Sequence, residues 1–250
     1  MSARQPPNRE QLRANLAEVR ARIDAACHAA GRDPAEVRLL PVSKTWPADT
    51  LRDAHAIGIH EFGENKVQEA LGKAEALADL APRWSIIGHL QANKAKYVAR
   101  FAHEFQALDS IKVATELDRR LQAAGRSLGV FVQVNTSDEP QKFGIAPHEA
   151  RAFLRELPAF HSLKVRGLMT LAVFDSDETR VRACFQRLTR LRGELREDAP
   201  TGITLDQLSM GMSGDFPIAI AEGATVVRVG QAIFGARSTP DSLYWPPGGV

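Results

Sequence analysis

Three groups of residues have the types and spacing to do chemistry. The first is Lys44, which closes the apolar run Val-Arg-Leu-Leu-Pro-Val-Ser-Lys44. An amine at the rim of a packed strand is desolvated, which disfavours the ammonium form and leaves a nucleophile able to form Schiff bases with carbonyls. From position alone, an ion-paired or snorkelling lysine at a strand end is the commoner reading. The second group is Ser209-Met-Gly-Met-Ser-Gly-Asp215, where a strand runs into a loop with two glycines and two hydroxyls and a helix begins near Phe216. Backbone N–H groups at such a junction attract anions. The third is Val-Arg228-Val-Gly230-Gln231, which offers an inward cation and a glycine that admits a ligand close to the backbone.

These groups need a frame to bring them together. Apolar runs centred on Leu39, Ile59, Ile86, Phe105, Val132, Leu168, Leu208 and Val227 read as eight strands. Each is followed by a helix or a short helical turn, and that alternation demands parallel pairing through right-handed crossovers. The fold expected is therefore α/β, a single (β/α)8 TIM barrel, with a doubly wound open sheet as the runner-up. An amphipathic helix over Gln11–Ala30, stopped by Gly31, precedes the first strand. The expected division is a helical lead-in over 1–36, the barrel over 37–237 and a flexible Pro/Gly-rich tail over 238–250. Pro41 conflicts with a central strand, because it cannot donate to a ladder.

In a closed barrel the first and eighth strands are neighbours, and reactive groups gather at the C-terminal strand ends. A lysine on strand one beside an anion clamp on strands seven and eight suits one ligand carrying both an aldehyde and a phosphate, namely pyridoxal 5′-phosphate. Weaker candidates share that rim. Asn65, after Phe-Gly-Glu, could bond the cofactor's ring oxygen or cap the following helix. His89 could be a base or a structural residue. Lys142, in Gln-Lys-Phe-Gly, reads as a second amine near the mouth or as an exposed side chain.

Composition removes whole classes of function. Of 250 residues, 44% are hydrophobic and 25% charged, ordinary globular values that exclude a disordered chain. Lys+Arg number 32 against Asp+Glu 30, so no electrostatic footprint for nucleic acid exists and any anion site is local. Cys27 and Cys184 are far apart, with no zinc spacing, and argue against a disulfide framework. No secretory leader or membrane-length apolar run is visible, so a cytoplasmic location is expected.

The chain resembles the pyridoxal-phosphate homeostasis proteins, also described as the proline-synthase co-transcribed type. The resemblance lies in Val-Ser-Lys44-Thr, Phe-Gly-Glu-Asn65, Ile-Gly-His-Leu-Gln-Ala-Asn-Lys94, Lys142-Phe-Gly-Ile, Arg-Gly-Leu-Met169, Ser-Met-Gly-Met-Ser213 and Val-Arg228-Val-Gly-Gln-Ala-Ile-Phe-Gly235. It implies a barrel like the N-terminal domain of alanine racemase, with Lys44 as the Schiff-base lysine and Asn65 near the ring. It also places Met212, Ser213, Arg228, Gly230 and Gln231 around the cofactor. Where Gln231 stands the family commonly has Thr or Ser, so here only the backbone N–H is carried over. The family is thought to carry or buffer the cofactor inside cells and to affect amino- and keto-acid balance, without an established reaction; apo-enzymes that use the cofactor are the expected partners.

The competing expectation is an amino-acid racemase or related enzyme. Racemisation benefits from a base on each face of the ring, and the racemase fold takes the second from a tyrosine of an added domain. The tyrosines here are Tyr97, in a helical segment, and Tyr244, in the tail. The sequence also ends soon after strand eight, leaving no segment for a covering domain, and on that basis a monomeric carrier is expected.

Overall fold

The computed structural model describes residues 6–235. Eight parallel strands run in the order β1-β8-β7-β6-β5-β4-β3-β2. They are β1 (Arg38–Pro41), β2 (Glu61–Glu64), β3 (Arg83–Ile86), β4 (Glu104–Leu108), β5 (Leu128–Gln133), β6 (Leu163–Met169), β7 (Gln207–Ser209) and β8 (Val226–Val229). Helices alternate with them: α1 (Arg9–Ala29), α2 (Ala48–Ala56), α3 (Val67–Ala76), α4 (Ala95–Phe101), α5 (Ile111–Ala123), α6 (Ala150–Glu156), α7 (Glu178–Arg196), α8 (Phe216–Ala221) and α9 (Gln231–Phe234). This is the TIM-barrel arrangement expected, and an open sheet is excluded by the closure between β1 and β2.

That closure is thin, and Pro41 explains why. Arg38 and Val42 donate to Thr225 and Val229 on the β8 side. By alternation, residues 39, 41 and 43 then turn their N–H groups toward β2. Proline has none to give, so the seam is held by the Val42–Gly63 bridge and by Ser43 N–H donating to the Gly63 carbonyl at 3.0 Å. Proline is tolerated because it sits on the loosely paired side. β1 thus ends at Pro41 rather than at Lys44, and Lys44 lies in a turn beyond it.

α1 begins with a reciprocal cap between Asn8 and Gln11. Its buried stripe Leu12, Leu16, Val19, Ile23 and Cys27 packs over the two shortest helices, α8 and α9. Asn15 bonds the Ile233 carbonyl at 2.8 Å, and Arg22 lies over the Phe216 ring at 4.7 Å. The leading helix therefore supplies apolar cover where the helical ring is thin. Cys27 and Cys184 are buried free thiols. Residues 238–250, expected as a tail, lie outside the described residues.

The barrel interior has a polar layer. Arg38 bonds Glu61 and Glu104, and Gln106 bonds Glu104. Ser209 Oγ donates to Gln106 at 2.6 Å, and Arg228 donates to Ser209 Oγ at 2.6 Å. The chain of bonds links the lower mouth to β8, so Arg38, Gln106, Ser209 and Arg228 each find a polar partner there.

Candidate functional site

The C-terminal ends of β7, β8, β1 and β2 are consecutive around the barrel, and they gather all seven sequence-predicted site residues. Lys44 is 9% exposed, in the turn after β1. Gly230 follows β8 and abuts β1: a Cβ there would stand 3.0 Å from the Val42 carbonyl oxygen. Any side chain there would push the two strand ends apart by a few tenths of an ångström. Gly230 N–H donates to Ser213 Oγ at 3.2 Å, tying the loop after β7 to the end of β8 and leaving the hydroxyl proton to donate elsewhere. Met212 and Ser213 are half-buried in that loop, and Gln231 opens α9.

The loop after β7 is shaped by Gly211, whose φ is +93° and whose Cβ would lie 2.6 Å from Ala219 Cβ. Asp215 carboxylate accepts from Met212 N–H and closes the turn before α8. Burial raises the Asp215 pKa, opposed by that bond and by Arg228. α9 starts at the mouth, so its first-turn N–H groups face the rim, as in the short-helix phosphate sites of such barrels.

Arg228 is an inward cation, as its place in the sequence suggests. Its side chain is buried and turns across the interior, donating to Ser209 Oγ on β7 and to the Thr170 carbonyl at 2.8 Å beyond β6. Burial pushes its pKa down to about 10, with Asp215 pulling the other way. It remains a cation at neutral pH, and neither hydrogen-bond partner is a carboxylate. The rim thus carries Ser213, Gly230 and the start of α9, while the guanidinium sits deeper.

Asn65 lies directly after β2, and the helix-cap alternative does not hold: Lys66 is the N-cap of α3. The Asn65 backbone packs on Gly88, whose Cβ would stand 2.4 Å from the Asn65 carbonyl oxygen. Its side-chain amide makes no hydrogen bond to the described residues, in keeping with a ligand-facing role.

Two weaker candidates are tied into the scaffold. His89 stacks on Phe143 with centroids 4.0 Å apart and has Nδ1 3.6 Å from Asp109 Oδ2. Burial raises the Asp109 pKa, and Asp109 also accepts from Gly144 N–H. His89 therefore clips the loop after β5. Lys142 is not exposed; its amine donates to the Ala172 carbonyl at 2.8 Å and pairs with Glu139, joining the loops after β5 and β6.

Glu64 stood out in the sequence only as a strand-end group without a role, and Glu69 and Lys73 did not stand out at all. Glu64 ends β2 fully buried, and its Oε1 accepts from Ser43 Oγ at 2.6 Å and from Lys73 Nζ at 2.7 Å. Burial pushes its pKa up to about 7 despite the pull of Lys73. The Glu-Asn-Lys-Val-Gln-Glu and Lys73 spacing was visible; that these charges fold inward beside Lys44 was not.

A strand-end site holding a lysine, a glycine-shaped anion cradle and a deep arginine on an eight-stranded parallel barrel defines a class. Residues 8–238 match the family described as alanine racemase, N-terminal domain. An alanine racemase from Streptomyces lavendulae, 16% identical, superposes with a TM-score of 0.71 over 94% of this chain and 59% of that one, and so shares the fold. A Pseudomonas aeruginosa protein named pyridoxal phosphate homeostasis protein is 45% identical over 223 residues, 89% of this chain and 94% of its own. The structure of PipY from Synechococcus elongatus with PLP bound is 36% identical, with a TM-score of 0.79 over 90% of this chain and all of that one. The chain belongs to the pyridoxal phosphate homeostasis protein family.

Proposed function

We propose that the chain binds pyridoxal 5′-phosphate on Lys44 and acts as an intracellular carrier or buffer of that cofactor, with effects on amino- and keto-acid balance. The observation that carries this reading is the abutment of β8 on β1, which sets the Lys44 turn beside the Ser213–Gly230 cradle. The donor set fits the group. A phosphate needs N–H and O–H donors that approach closely, and the cradle would lose its shape if Gly230 or Gly211 carried a Cβ. A flat, anionic ring suits a buried arginine that bonds no carboxylate. The PLP held by the PipY relative and the name of the Pseudomonas aeruginosa relative support the same group.

When bound, the cofactor supplies an aldehyde with which an amine can condense, releasing water. Lys44 provides that amine from a turn with little access to solvent. Ser213 Oγ and the first amides of α9, including that of Gln231, would hold the phosphate, with Gly230 shaping the cradle through its bond to Ser213. Asn65 would orient the ring, Met212 would pack against it, and Arg228 would set a positive potential for it.

A carrier is favoured over the racemase alternative. Tyr97 lies on α4 in the helical ring, with Lys96 Nζ 4.9 Å from its ring centroid, and is not at a strand end. Relatives named homeostasis proteins fit the same choice. We read 37–237 as one barrel, 1–36 as its lead-in and the protein as a cytoplasmic monomer that serves apo-enzymes. No helix among the described residues is long and apolar enough to cross a membrane.

The test is borohydride reduction of the cofactor-loaded protein followed by peptide mapping. The adduct is expected on Lys44, and Lys44→Ala is expected to abolish it together with the visible absorption band. An undiminished adduct in Lys44→Ala sinks the assignment.

A further inference from the structure

We propose that Glu64, Glu69 and Lys73 form a positioning device that grips the backbone on both sides of Lys44 and so aims its amine. The inference rests on the reading of Lys44 as the cofactor lysine.

The grip can be followed atom by atom. On the N-terminal side, Lys73 Nζ donates to the Ser43 carbonyl at 2.9 Å, and Ser43 Oγ donates to Glu64 Oε1 at 2.6 Å. On the C-terminal side, Thr45 N–H donates to Glu69 Oε1 at 2.6 Å. Lys73 joins the two halves, donating at 2.7 Å to Glu64 Oε1 and at 2.7 Å to Glu69 Oε1. Glu69 and Lys73 are one helical turn apart on α3, so both reach the same strand end.

Three features separate this from an ordinary stabilising ion pair. A buried ion pair recovers little net stability, because desolvation opposes the attraction; Lys73 is nevertheless 7% exposed and Glu64 0%. The bonds that leave the triad go to the residues flanking Lys44 on either side. Thr45 has φ +71°, a left-handed conformation that a β-branched residue adopts only when its surroundings impose it. The Glu69 bond is made by the amide of that strained residue. Strain held beside a nucleophile by a dedicated acceptor is a way to fix a geometry that the local sequence would not choose.

The experiment uses the full chain with Glu69→Ala, whose side chain is partly exposed, and the isosteric pair Lys73→Met/Glu64→Gln, which removes both buried charges together. Three quantities are read: the rate at which pyridoxal 5′-phosphate adds to Lys44, followed by absorbance and fixed by borohydride; the affinity for pyridoxamine 5′-phosphate, which lacks the aldehyde; and hydrogen exchange at the Thr45 amide. Both variants are expected to slow addition by about tenfold or more. Pyridoxamine 5′-phosphate should bind with unchanged affinity, and Thr45 protection should fall in Glu69→Ala. Addition at the wild-type rate in both variants overturns the positioning role, and so does an equal loss of addition and of pyridoxamine 5′-phosphate binding, which marks collapse of the site. A wild-type adduct that maps away from Lys44 overturns the underlying reading instead.

Discussion

Arg228 and Ser213 stand at different depths of the mouth and would not act on a ligand as a single clamp. Ser213 and Gly230 stand at the rim, whereas the guanidinium is held by Ser209 and Thr170 inside the barrel. Ser213→Ala should therefore lower the preference for pyridoxal 5′-phosphate over pyridoxal by roughly tenfold or more, the value of one hydrogen bond to a charged group. Arg228→Met should weaken both ligands by roughly tenfold or more, because the positive potential acts on the ring as well. Absorbance titration with each aldehyde checks this; loss confined to the phosphorylated ligand in Arg228→Met contradicts it. Glu64 gives a pH prediction. Burial holds its pKa at about 7 in the folded chain, above the usual carboxylate range. The native state then binds the extra proton, so this contribution to stability is full below the unfolded pKa and is lost as pH rises through 7. Denaturant unfolding should show stability falling by roughly 3 kcal/mol between about pH 4 and 8 from this residue. Glu64→Gln should flatten that fall, and an unchanged slope refutes the shift.

At the level of elements, the loop between β7 and α8 depends on Gly211. Its positive φ and the 2.6 Å approach to Ala219 leave no room for a side chain. Gly211→Ala should cost about 2–4 kcal/mol in unfolding free energy and loosen the phosphate cradle with it. Chemical denaturation checks the first effect, and a variant as stable as the parent contradicts it. This loop was readable in the sequence because glycine and hydroxyl spacing are local signals. α7 was equally readable, since its apolar period spans 178–196 and the helix occupies that range. Strand ends were harder. Pro41 spoke against β1 until its neighbours showed that its missing N–H faces the loosely paired β2 side. Asn65 looked like a cap because cap residues are recognised by type, yet the chain turns one residue later. The Glu64–Lys73 pairing depends on how α3 packs against β2, a tertiary fact with no periodic signature; Arg228 was legible as an inward cation, but its partners, Ser209 on β7 and Thr170 beyond β6, were not.

For the whole molecule, eight parallel strands, a helical ring and a leading helix laid over the short α8 and α9 produce one mouth with its chemistry at the β7–β8–β1–β2 edge. Such a scaffold serves a racemase and a carrier equally well, since fold alone does not choose between them. The central claim is that the cofactor arrives on Lys44 and leaves again intact. The most direct measurement mixes the loaded protein with an excess of an apo-enzyme that needs pyridoxal 5′-phosphate, with an amino acid present. The protein should lose its visible band as the apo-enzyme gains activity in matching amount, with no sustained loss of optical rotation from the protein alone. Retention of the cofactor on Lys44, with the protein itself racemising the amino acid over many turnovers, would contradict the account.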